Sequence, residues 1–333
     1  MGLVIIAGLA SLAAIWRGVS ELRQPVVFSE PVLFEVEKGD SLKKVAHQLE
    51  DRGVIRSAFW FYWYGRYQSF DRQLKAGEYW LPANISAAEF YPILTSGRTA
   101  RYSIQFIEGW TLSQIVAELD NHPKLNRKID TKDPEEIAKL LGMERSHAEG
   151  MIFPDTYSYR KGTSDVEVLE RAHQKMLTTL AEIWQVRSKY AEVENPYEAL
   201  ILASIIEKET GVAGERRLIS GVFTSRLKKQ MRLQTDPTVI YGLGELYEGN
   251  LTRAHLRQVT PYNTYVIRGL PPTPIAIPGR ASIEAAVFPD IRGYLYFVAK
   301  GDGSHQFSKN LRDHNRAVRQ YQLKRRKDYR SSQ

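Results

Sequence analysis

Cysteine is absent from all 333 residues of the chain, which excludes a disulfide framework, a thiolate zinc site and a cysteine nucleophile. The sequence also has no H-E-x-x-H metal motif, and its glycines form neither a P-loop nor a dinucleotide fingerprint. No dense cluster of His and Asp residues replaces these motifs. We therefore expect the protein to work with neither a metal ion nor another cofactor.

Positive charge is in excess, with 46 Lys and Arg against 38 Asp and Glu and a net charge of +8 at pH 7. This balance favours an anionic partner, such as nucleic acid, a membrane surface or an acidic polymer. Most basic residues are scattered, and the one dense cluster, Lys324 to Lys327, is typical of a solvated tail. The length predicts about two domains.

The N-terminus carries a long uncharged run from Leu3 to Trp16, which Arg17 follows. The run is shorter than the roughly 20 residues that cross a bilayer. We predict a short or N-terminally truncated membrane anchor at residues 1–19, and a buried core helix is the alternative. Arg17 and Arg23 lie on the distal side of the run, so the positive-inside rule alone does not direct the rest of the chain outward.

Two stretches of the N-terminal half, residues 34–49 and 104–119, share one design. Each predicts a strand, a turn at a glycine, a hydroxyl N-cap and an amphipathic helix. Gly39 of the first stretch matches Gly109 of the second, and Ser41 matches Thr111. The pattern indicates two βα units in a partly duplicated N-terminal module.

The first of these units resembles a LysM module, whose usual opening is a strand, then Gly-Asp-Thr-Leu, then a helix. Here the corresponding residues are Gly39 to Leu42. LysM modules bind chitin-like and peptidoglycan glycans, so the resemblance implies a glycan partner. An aromatic run, Trp60 to Tyr67, follows the unit. We predict that this run forms a helix packed on the strands, with sugar stacking as the alternative.

A single helix is predicted between Asn195, a good N-cap, and Gly211, whose left-handed conformation would end it. Residues 199–206 are apolar nearly all round, which places this helix inside a domain. Its last turn carries Glu207 and Glu209. Apolar surroundings and the negative end of the helix dipole both favour the protonated form of a carboxyl there.

A carboxylic acid kept protonated near neutral pH is what a general acid needs in order to protonate a leaving oxygen. The alternative is that both glutamates are solvated residues of a fraying last turn. Both Glu207 and Glu209 share a helix stripe with apolar residues. Helix geometry alone therefore does not choose between them.

The C-terminal half resembles the catalytic domain of the YceG-like, or MltG-type, endolytic murein transglycosylases. Several motifs in the family's order carry this resemblance over about 180 residues: EGMIFPDTYSY at 149–159, LASIIEKET at 202–210, ER at 215–216, RLQTDPTVIYG at 232–242, YNTY at 262–265, GLPPTPIAIPG at 269–279, YLYFVA at 294–299, HQFS at 305–308 and HN at 314–315.

The resemblance implies an α+β protein with a membrane anchor, a LysM-like domain at 31–149 and a mixed α/β catalytic domain at 150–328. It implies cleavage of the β-1,4 bond between N-acetylmuramic acid and N-acetylglucosamine without water, leaving a 1,6-anhydro end. Carried over by motif, Glu207 is the single acid and base. No cofactor is implied. The implied partners are peptidoglycan strands and peptidoglycan synthases.

The other motifs suggest groove residues that contact the sugars. Polar side chains of this kind also serve in turns and caps, which is the alternative for each of them, and His305 and His314 are the weakest candidates. The predicted substrate-binding residues are Glu215, Gln234, Thr235, Asp236, Tyr262, Asn263 and Tyr265.

The expected location is the inner (cytoplasmic) membrane, crossed once, with the catalytic domain on the extracytoplasmic side. Two other functions stay open at this point. One is a non-catalytic peptidoglycan-binding scaffold in which Glu207 is only a ligand contact. The other is a muramidase that uses Glu207 with Asp236 or Glu215 and water, since a glycoside hydrolase normally needs a second carboxylate.

Overall fold

The computed structural model describes residues 2–26 and 30–323. The chain divides into two compact units, each described by itself. The first comprises Met1–Tyr102 with Tyr159–Gly162, and the second comprises Ser103–Ser158 with Thr163–Gln333. The predicted domain boundary near Gly150 therefore does not coincide with the boundary between the units. The basic cluster Lys324 to Lys327 lies outside the described residues.

The first unit begins with a long helix and continues into a two-stranded sheet with helices between its strands. Val32 pairs with Leu81 and Val36 with Gly77 in the antiparallel sheet. The elements are α1 (Gly2–Arg23), β1 (Val32–Val36), α2 (Leu42–Asp51), α3 (Ala58–Tyr67), β2 (Gly77–Leu81) and α4 (Phe90–Ser96).

Helix α1 is longer than the uncharged run predicted. Residues Val4–Arg23 are long and apolar enough to cross a membrane, by length and composition only. Most of this stretch is exposed, whereas Leu22 in its last turn is buried in the core of the first unit. Beyond Trp16 the helix continues through charged residues, of which Arg17 and Glu21 lie 3.6 Å apart along its surface.

The first βα unit folds as its pattern predicts. The Ser41 hydroxyl accepts the Lys44 N–H at 3.2 Å and caps α2. The apolar stripe of α2, which includes Val45 and Leu49, is buried. The predicted helix in the aromatic run is confirmed as α3, in which Phe61 is buried and stacks on Tyr91 with ring centroids 4.3 Å apart.

The second unit is mostly helical and contains two further pairs of strands, β3 with β4 and β5 with β6. Its helices pack around α8, the helix predicted to lie inside a domain. The elements are β3 (Tyr102–Gln105), α5 (Leu112–Asp120), α6 (Pro134–Leu140), β4 (Thr156–Tyr159), α7 (Asp165–Gln185), α8 (Pro196–Glu209), α9 (Arg216–Lys228), α10 (Asp236–Leu243), α11 (Arg280–Val287), β5 (Tyr296–Ala299), β6 (His305–Ser308) and α12 (Leu311–Val318).

Helix α8 is buried as its composition predicts. Asn195 accepts the Glu198 N–H at 3.0 Å, and every residue of 199–206 is buried. One detail of the prediction is wrong: α8 ends in the extended residue Thr210, and Gly211 is not in the left-handed region. Thr210 is itself buried, so burial of this extended residue, instead of a glycine turn, accompanies the end of the helix.

Candidate active site

A groove opens at the C-terminal end of α8 within the second unit. One wall is the turn between β3 and α5, and the other is α10 with the residues that follow it. Both walls meet at the last turn of α8. The lining residues are Glu108, Gly109, Trp110, Thr111, Gln114, Glu207, Lys208, Thr210, Gly211, Pro237, Ile240, Tyr241, Tyr247 and Ile275.

Glu207 lies in this groove with a side chain that is only 7% exposed. Its Oε2 accepts the Gly279 N–H at 2.9 Å. Its Oε1 lies 3.7 Å from the Arg216 Nη2, close enough for an ion pair. The carboxyl group is therefore fixed in orientation by a backbone donor on one oxygen and faces a cation on the other, while it still borders the groove.

The Pro-rich loop that supplies the Gly279 N–H is tied to α8 by Ser204, the one polar side chain in the apolar stretch. The Ser204 hydroxyl donates to the Ile201 carbonyl at 2.7 Å and accepts the Ile275 N–H at 3.0 Å. The Glu108 side chain lies directly against Gly279, because a Cβ there would lie 1.9 Å from Glu108 Oε1 and would displace that side chain. The Ser204 hydrogen bonds fix the position of the loop relative to helix α8 at the groove.

Hydrogen bonds join the turn between β3 and α5 to both the Pro-rich loop and helix α8. The Gly109 N–H donates to the Ile277 carbonyl at 2.8 Å, and the Ile277 N–H donates to the Trp110 carbonyl at 2.7 Å. Lys208 Nζ donates to the Gly109 carbonyl at 3.2 Å. Gly109 has φ of +81°, a conformation that favours glycine. The second βα unit therefore builds part of the groove.

Glu108, the first groove residue of this turn, is a functional candidate that sequence reasoning missed. Partial burial raises the pKa of its carboxyl, the negative charge of Glu207 adds to the effect, and Arg216 opposes it. Two carboxyl groups thus share one groove and influence each other electrostatically. The sequence did contain one sign of this residue. Lys38 of the first βα unit occupies the position that Glu108 occupies in the second βα unit, so the two matched units differ in charge there.

With this geometry in view, comparison with known proteins settles the family. A family model described as the YceG-like family matches residues 34–320. The chain belongs to the YceG-like family. The family predicted from the C-terminal motifs is confirmed.

Three relatives of this YceG-like chain illustrate the match. An endolytic murein transglycosylase of Bacillus subtilis is 34% identical over 307 residues, which cover 87% of this chain and 84% of the relative. An endolytic murein transglycosylase of Streptococcus pneumoniae (strain D39) is 27% identical over 86% of this chain and 57% of its own length. A crystal structure of a yceG-like protein from Listeria monocytogenes matches with a TM-score of 0.55 and 33% identity, covering 87% of this chain and 99% of that one.

The two glutamates at the end of α8 have different surroundings in this YceG-like chain. Glu209 is not among the groove residues, and its Oε1 accepts a short hydrogen bond from the Thr235 hydroxyl. Desolvation raises the pKa of Glu209 to about 7, although the Thr235 hydrogen bond opposes the shift. Packing thus distinguishes Glu207 from Glu209, which helix geometry alone did not.

The predicted residues around Thr235 form a packed network next to Glu209. The buried Thr235 donates its N–H to the Thr264 hydroxyl at 3.1 Å. Gln234, with φ of +52°, donates its N–H to the Thr264 carbonyl at 3.1 Å. Asp236 accepts the Tyr265 hydroxyl at 2.6 Å at the start of α10. These four predicted residues, Gln234, Thr235, Asp236 and Tyr265, are brought together but do not line the groove.

Two further predicted residues hold the loops behind the groove. The buried Asn263 donates its amide to the carbonyls of His255 and Gln258, at 3.1 and 2.7 Å. The Tyr262 hydroxyl lies 2.8 Å from the Thr273 hydroxyl, and its ring packs edge-on against the groove residue Tyr241 at 4.9 Å. Tyr262 thus contacts the groove wall from behind. Substrate binding by either residue stays a prediction.

Glu215 and the histidines lie apart from the residues that line the groove. Glu215 accepts the His305 backbone N–H at 3.0 Å, and its Oε2 lies 2.7 Å from the buried His305 Nδ1. His314 stacks on Tyr296 with ring centroids 5.1 Å apart, and burial lowers its pKa. Glu215 thereby joins β6 to the start of α9. Its predicted role in substrate binding is left as a prediction.

Glu149, from the first of the family motifs, supports the groove from inside. This buried carboxyl accepts the Leu112 N–H at 3.0 Å and the Tyr241 hydroxyl at 3.2 Å. Burial raises its pKa to about 7. Since Leu112 begins α5 and Tyr241 lines the groove, Glu149 links the two walls. Among the residues that the structure describes, no group of three or more metal-ligating side chains is found.

Proposed function

We propose that this chain is an endolytic murein transglycosylase in which Glu207 is both the acid and the base. The observation that carries the proposal is the placement of Glu207, a nearly buried carboxyl at the edge of a groove, oriented by a backbone N–H. The Bacillus subtilis and Streptococcus pneumoniae relatives are named endolytic murein transglycosylases, which supports the same reaction class. The substrate is murein, the peptidoglycan of the bacterial cell wall.

The proposed reaction begins when protonated Glu207 gives its proton to the oxygen of the β-1,4 bond between N-acetylmuramic acid and N-acetylglucosamine. The bond from that oxygen to the anomeric carbon breaks. The C6 hydroxyl of the same muramic residue forms a new bond to that carbon, and its proton returns to the Glu207 carboxylate. The products are a free 4-hydroxyl and a 1,6-anhydro end, so no water is consumed and one carboxyl serves both steps.

The proposal places the groove outside the cell, with α1 as a single membrane span. The length and composition of Val4–Arg23 support the span. Peptidoglycan lies on the extracytoplasmic side of the inner membrane, so the second unit must face that side to reach its substrate. Peptidoglycan synthases are proposed partners because their product is the glycan strand that this reaction cuts.

The first unit is proposed to be a LysM-like glycan-binding module. Its glycine turn, the Ser41 cap and α2 follow the pattern that resembles such modules. After α2 the chain forms α3 and returns as β2, which pairs with β1. Binding of undigested glycan strands to the chain, with and without substitutions in this unit, is the direct test.

The test of the catalytic role is mass spectrometry of the products that the full chain, kept in detergent, releases from purified glycan strands. We expect fragments with anhydro ends, lighter by one water molecule than hydrolysed fragments. Glu207→Gln should abolish them while glycan binding persists. Glu209→Gln is the matched control, because its neutral amide still accepts the Thr235 hydrogen bond outside the groove. Binding without cleavage by the unmodified chain would contradict the proposal and favour a scaffold.

One observation favours a second candidate function, a muramidase with two carboxyl groups. The groove holds Glu108 together with Glu207, whereas Asp236 and Glu215 are engaged elsewhere. In this candidate Glu108 replaces those two residues as the second carboxyl, and water attacks the anomeric carbon. Reducing ends in place of anhydro ends, lost in both Glu108→Gln and Glu207→Gln, would support the muramidase and overturn the transglycosylase.

A further inference from the structure

Helix α3 has a second face that the core of the first unit does not use. Phe59, Trp63 and Tyr67 stand four residues apart, which puts them on one stripe of the helix. They are 59%, 53% and 84% exposed, while Phe61 is fully buried. Scattered apolar residues on a surface are ordinary, but a contiguous exposed patch of this kind marks an interaction site.

The contact between α1 and α3 fixes where this face lies along α1. Gly18 touches the Trp60 ring so closely that a Cβ would lie 2.1 Å from it. Four residues later, Leu22 is buried in the same core as Phe61. The end of α1 is therefore part of the first unit, and α3 is packed against it at Gly18.

The level of this contact is the end of the apolar part of α1. Gly18 lies two residues beyond Trp16, which at a rise of 1.5 Å per residue is about 3 Å along the axis. Arg17, whose side chain is 82% exposed, lies between them. Gly18 lies in the last two turns of the proposed span Val4–Arg23, beside the charged Arg17 and Glu21, so α3 contacts α1 near the end of the span, at the headgroup level.

An apolar groove runs between the two helices at this point. Ile15, Val19 and Arg23 form one stripe of α1 along it, and the exposed stripe of α3 forms the other side. The aromatic rings contact one another, with Phe59 and Trp60 centroids 5.1 Å apart. Exposed apolar side chains of α1, such as Leu12, continue the surface toward the N-terminus.

We propose that α3 is a membrane-interface helix, whose exposed face of Phe59, Trp63 and Tyr67 lies in the headgroup region of the phospholipid bilayer that α1 crosses. Trp and Tyr collect at this level because their rings are apolar and their tips form hydrogen bonds. The groove beside Ile15 and Val19 then takes the upper part of a lipid acyl chain. The proposal rests on the membrane span proposed above. It implies that the first compact unit is held at the membrane surface in a fixed orientation.

The absence of cysteine allows a direct test with single fluorescent labels on the full chain. Leu9→Cys, Tyr67→Cys and Lys43→Cys would each carry an environment-sensitive dye in vesicles of phosphatidylcholine and phosphatidylglycerol. Lys43 is an exposed residue of α2 in the same unit and serves as the control. Nitroxide lipids labelled at the headgroup or deep in the acyl chain, and aqueous iodide, would quench the dyes.

We expect deep nitroxides to quench the label at residue 9 and headgroup nitroxides to quench the label at residue 67. Iodide should quench the label at residue 67 several-fold less than the label at residue 43. If the label at residue 9 lies in the bilayer but iodide quenches the labels at residues 67 and 43 equally, the membrane span stands and the interface helix is wrong. A label at residue 9 in water overturns the membrane span as well.

A substitution sharpens the test in the labelled Tyr67→Cys background. Trp63→Ser should restore iodide access at residue 67, because it removes the largest ring of the face. Trp80→Ser is the control, since Trp80 is equally exposed at 53% but does not line the groove. If soluble glycan fragments, and not vesicles, protect residue 67 from iodide, the face binds sugars and the proposal is wrong.

Discussion

The two βα units share a sequence design and a local structure but have different surroundings. Gly39 and Gly109 both have positive φ, at +92° and +81°. A Cβ at Gly39 would meet nothing within 4 Å, whereas one at Gly109 would lie 3.8 Å from Lys208 and 3.9 Å from Glu207. The same type of turn is therefore open to solvent in the first βα unit and forms part of the candidate active site in the second βα unit.

The repeated pattern specifies the backbone and the caps of both βα units, while the elements packed against each turn differ. Lys38 and Glu108 occupy matching positions directly before the glycine of each turn. Lys38 is exposed, and Glu108 lies against Gly279 and the groove. Glu108 thus places a carboxyl in the groove at the position where the first βα unit has an exposed cation.

Among the tests of this comparison, the largest expected effect comes from this pair of positions. Glu108→Gln should lower kcat/KM about 10- to 100-fold, because the carboxylate stabilises the oxocarbenium-like charge of the transition state. The matched substitution Lys38→Gln should leave kcat/KM unchanged. Release of anhydro fragments by both variants is the measurement. Equal kcat/KM values for the two variants would show that the residue difference between the two turns does not affect catalysis.

The pH dependence of the rate sharpens this prediction. Burial and the charge of Glu207 raise the pKa of Glu108, so its carboxylate forms at a higher pH than an ordinary glutamate. The rate should therefore rise with pH as Glu108 loses its proton, and this limb should be missing in Glu108→Gln. A limb of the same shape in the variant would assign it to another group.

A smaller effect concerns Glu149, which caps α5 of the second unit at Leu112. Burial raises the pKa of Glu149 to about 7 in the folded protein, against about 4.3 in an unfolded chain. Between these values the folded state keeps a proton that the unfolded state has lost. The free energy of unfolding therefore falls as pH rises through this window, by up to about 4 kcal/mol, and the loss is complete above the folded pKa.

Glu149→Gln should remove this pH dependence, because the amide carries no charge at any pH. The measurement is Tm by calorimetry at about pH 5 and about pH 8, on either side of the window. The unmodified chain should lose more Tm between the two than the variant does. Glu144→Gln, at an exposed position five residues earlier in the chain, should behave like the unmodified chain. An unchanged pH dependence in Glu149→Gln would contradict the prediction.

The smallest expected effect tests a feature that the two βα units share, the hydroxyl N-cap of each helix. Ser41 and Thr111 each accept a backbone N–H three residues on, at 3.2 and 3.4 Å. Ser41→Ala and Thr111→Ala should each lower the free energy of unfolding by about 1 kcal/mol. Denaturant titration measures both. A clearly larger loss at Thr111 would mean that the groove contacts of the second turn also depend on its cap.

Local signals predicted much of the fold. The caps at Ser41 and Asn195 form as expected, and the apolar stretch 199–206 is buried. These features depend on residues close in sequence, so periodicity and capping chemistry suffice. The motifs of the C-terminal half also predicted the family that the comparison confirms. The end of α8 was predicted wrongly because it depends on burial of Thr210, a tertiary effect.

The candidate site was less accessible to sequence reasoning. Glu207 and Glu209 lie about 200° apart around α8, so they face different surroundings. Which of them borders the groove is decided by the turn at Gly109 and the loop at Gly279, both distant in sequence. Glu108 was missed for the same reason. Among the seven predicted sugar-contacting residues, hydrogen bonds among themselves and to nearby loops account for most of their polar groups.

In the proposed reaction, the hydrogen bond from the Gly279 N–H to Glu207 also makes the two carboxyl oxygens unequal. A backbone N–H can only donate, and the hydroxyl oxygen of a carboxylic acid accepts more weakly than its carbonyl oxygen, so this bond favours Oε2 as the carbonyl oxygen. The bond therefore favours Oε1 as the oxygen that carries the mobile proton. The same oxygen releases it to the leaving sugar and recovers it from the C6 hydroxyl, so both transfers occur on one side of the carboxyl plane without rotation of the group.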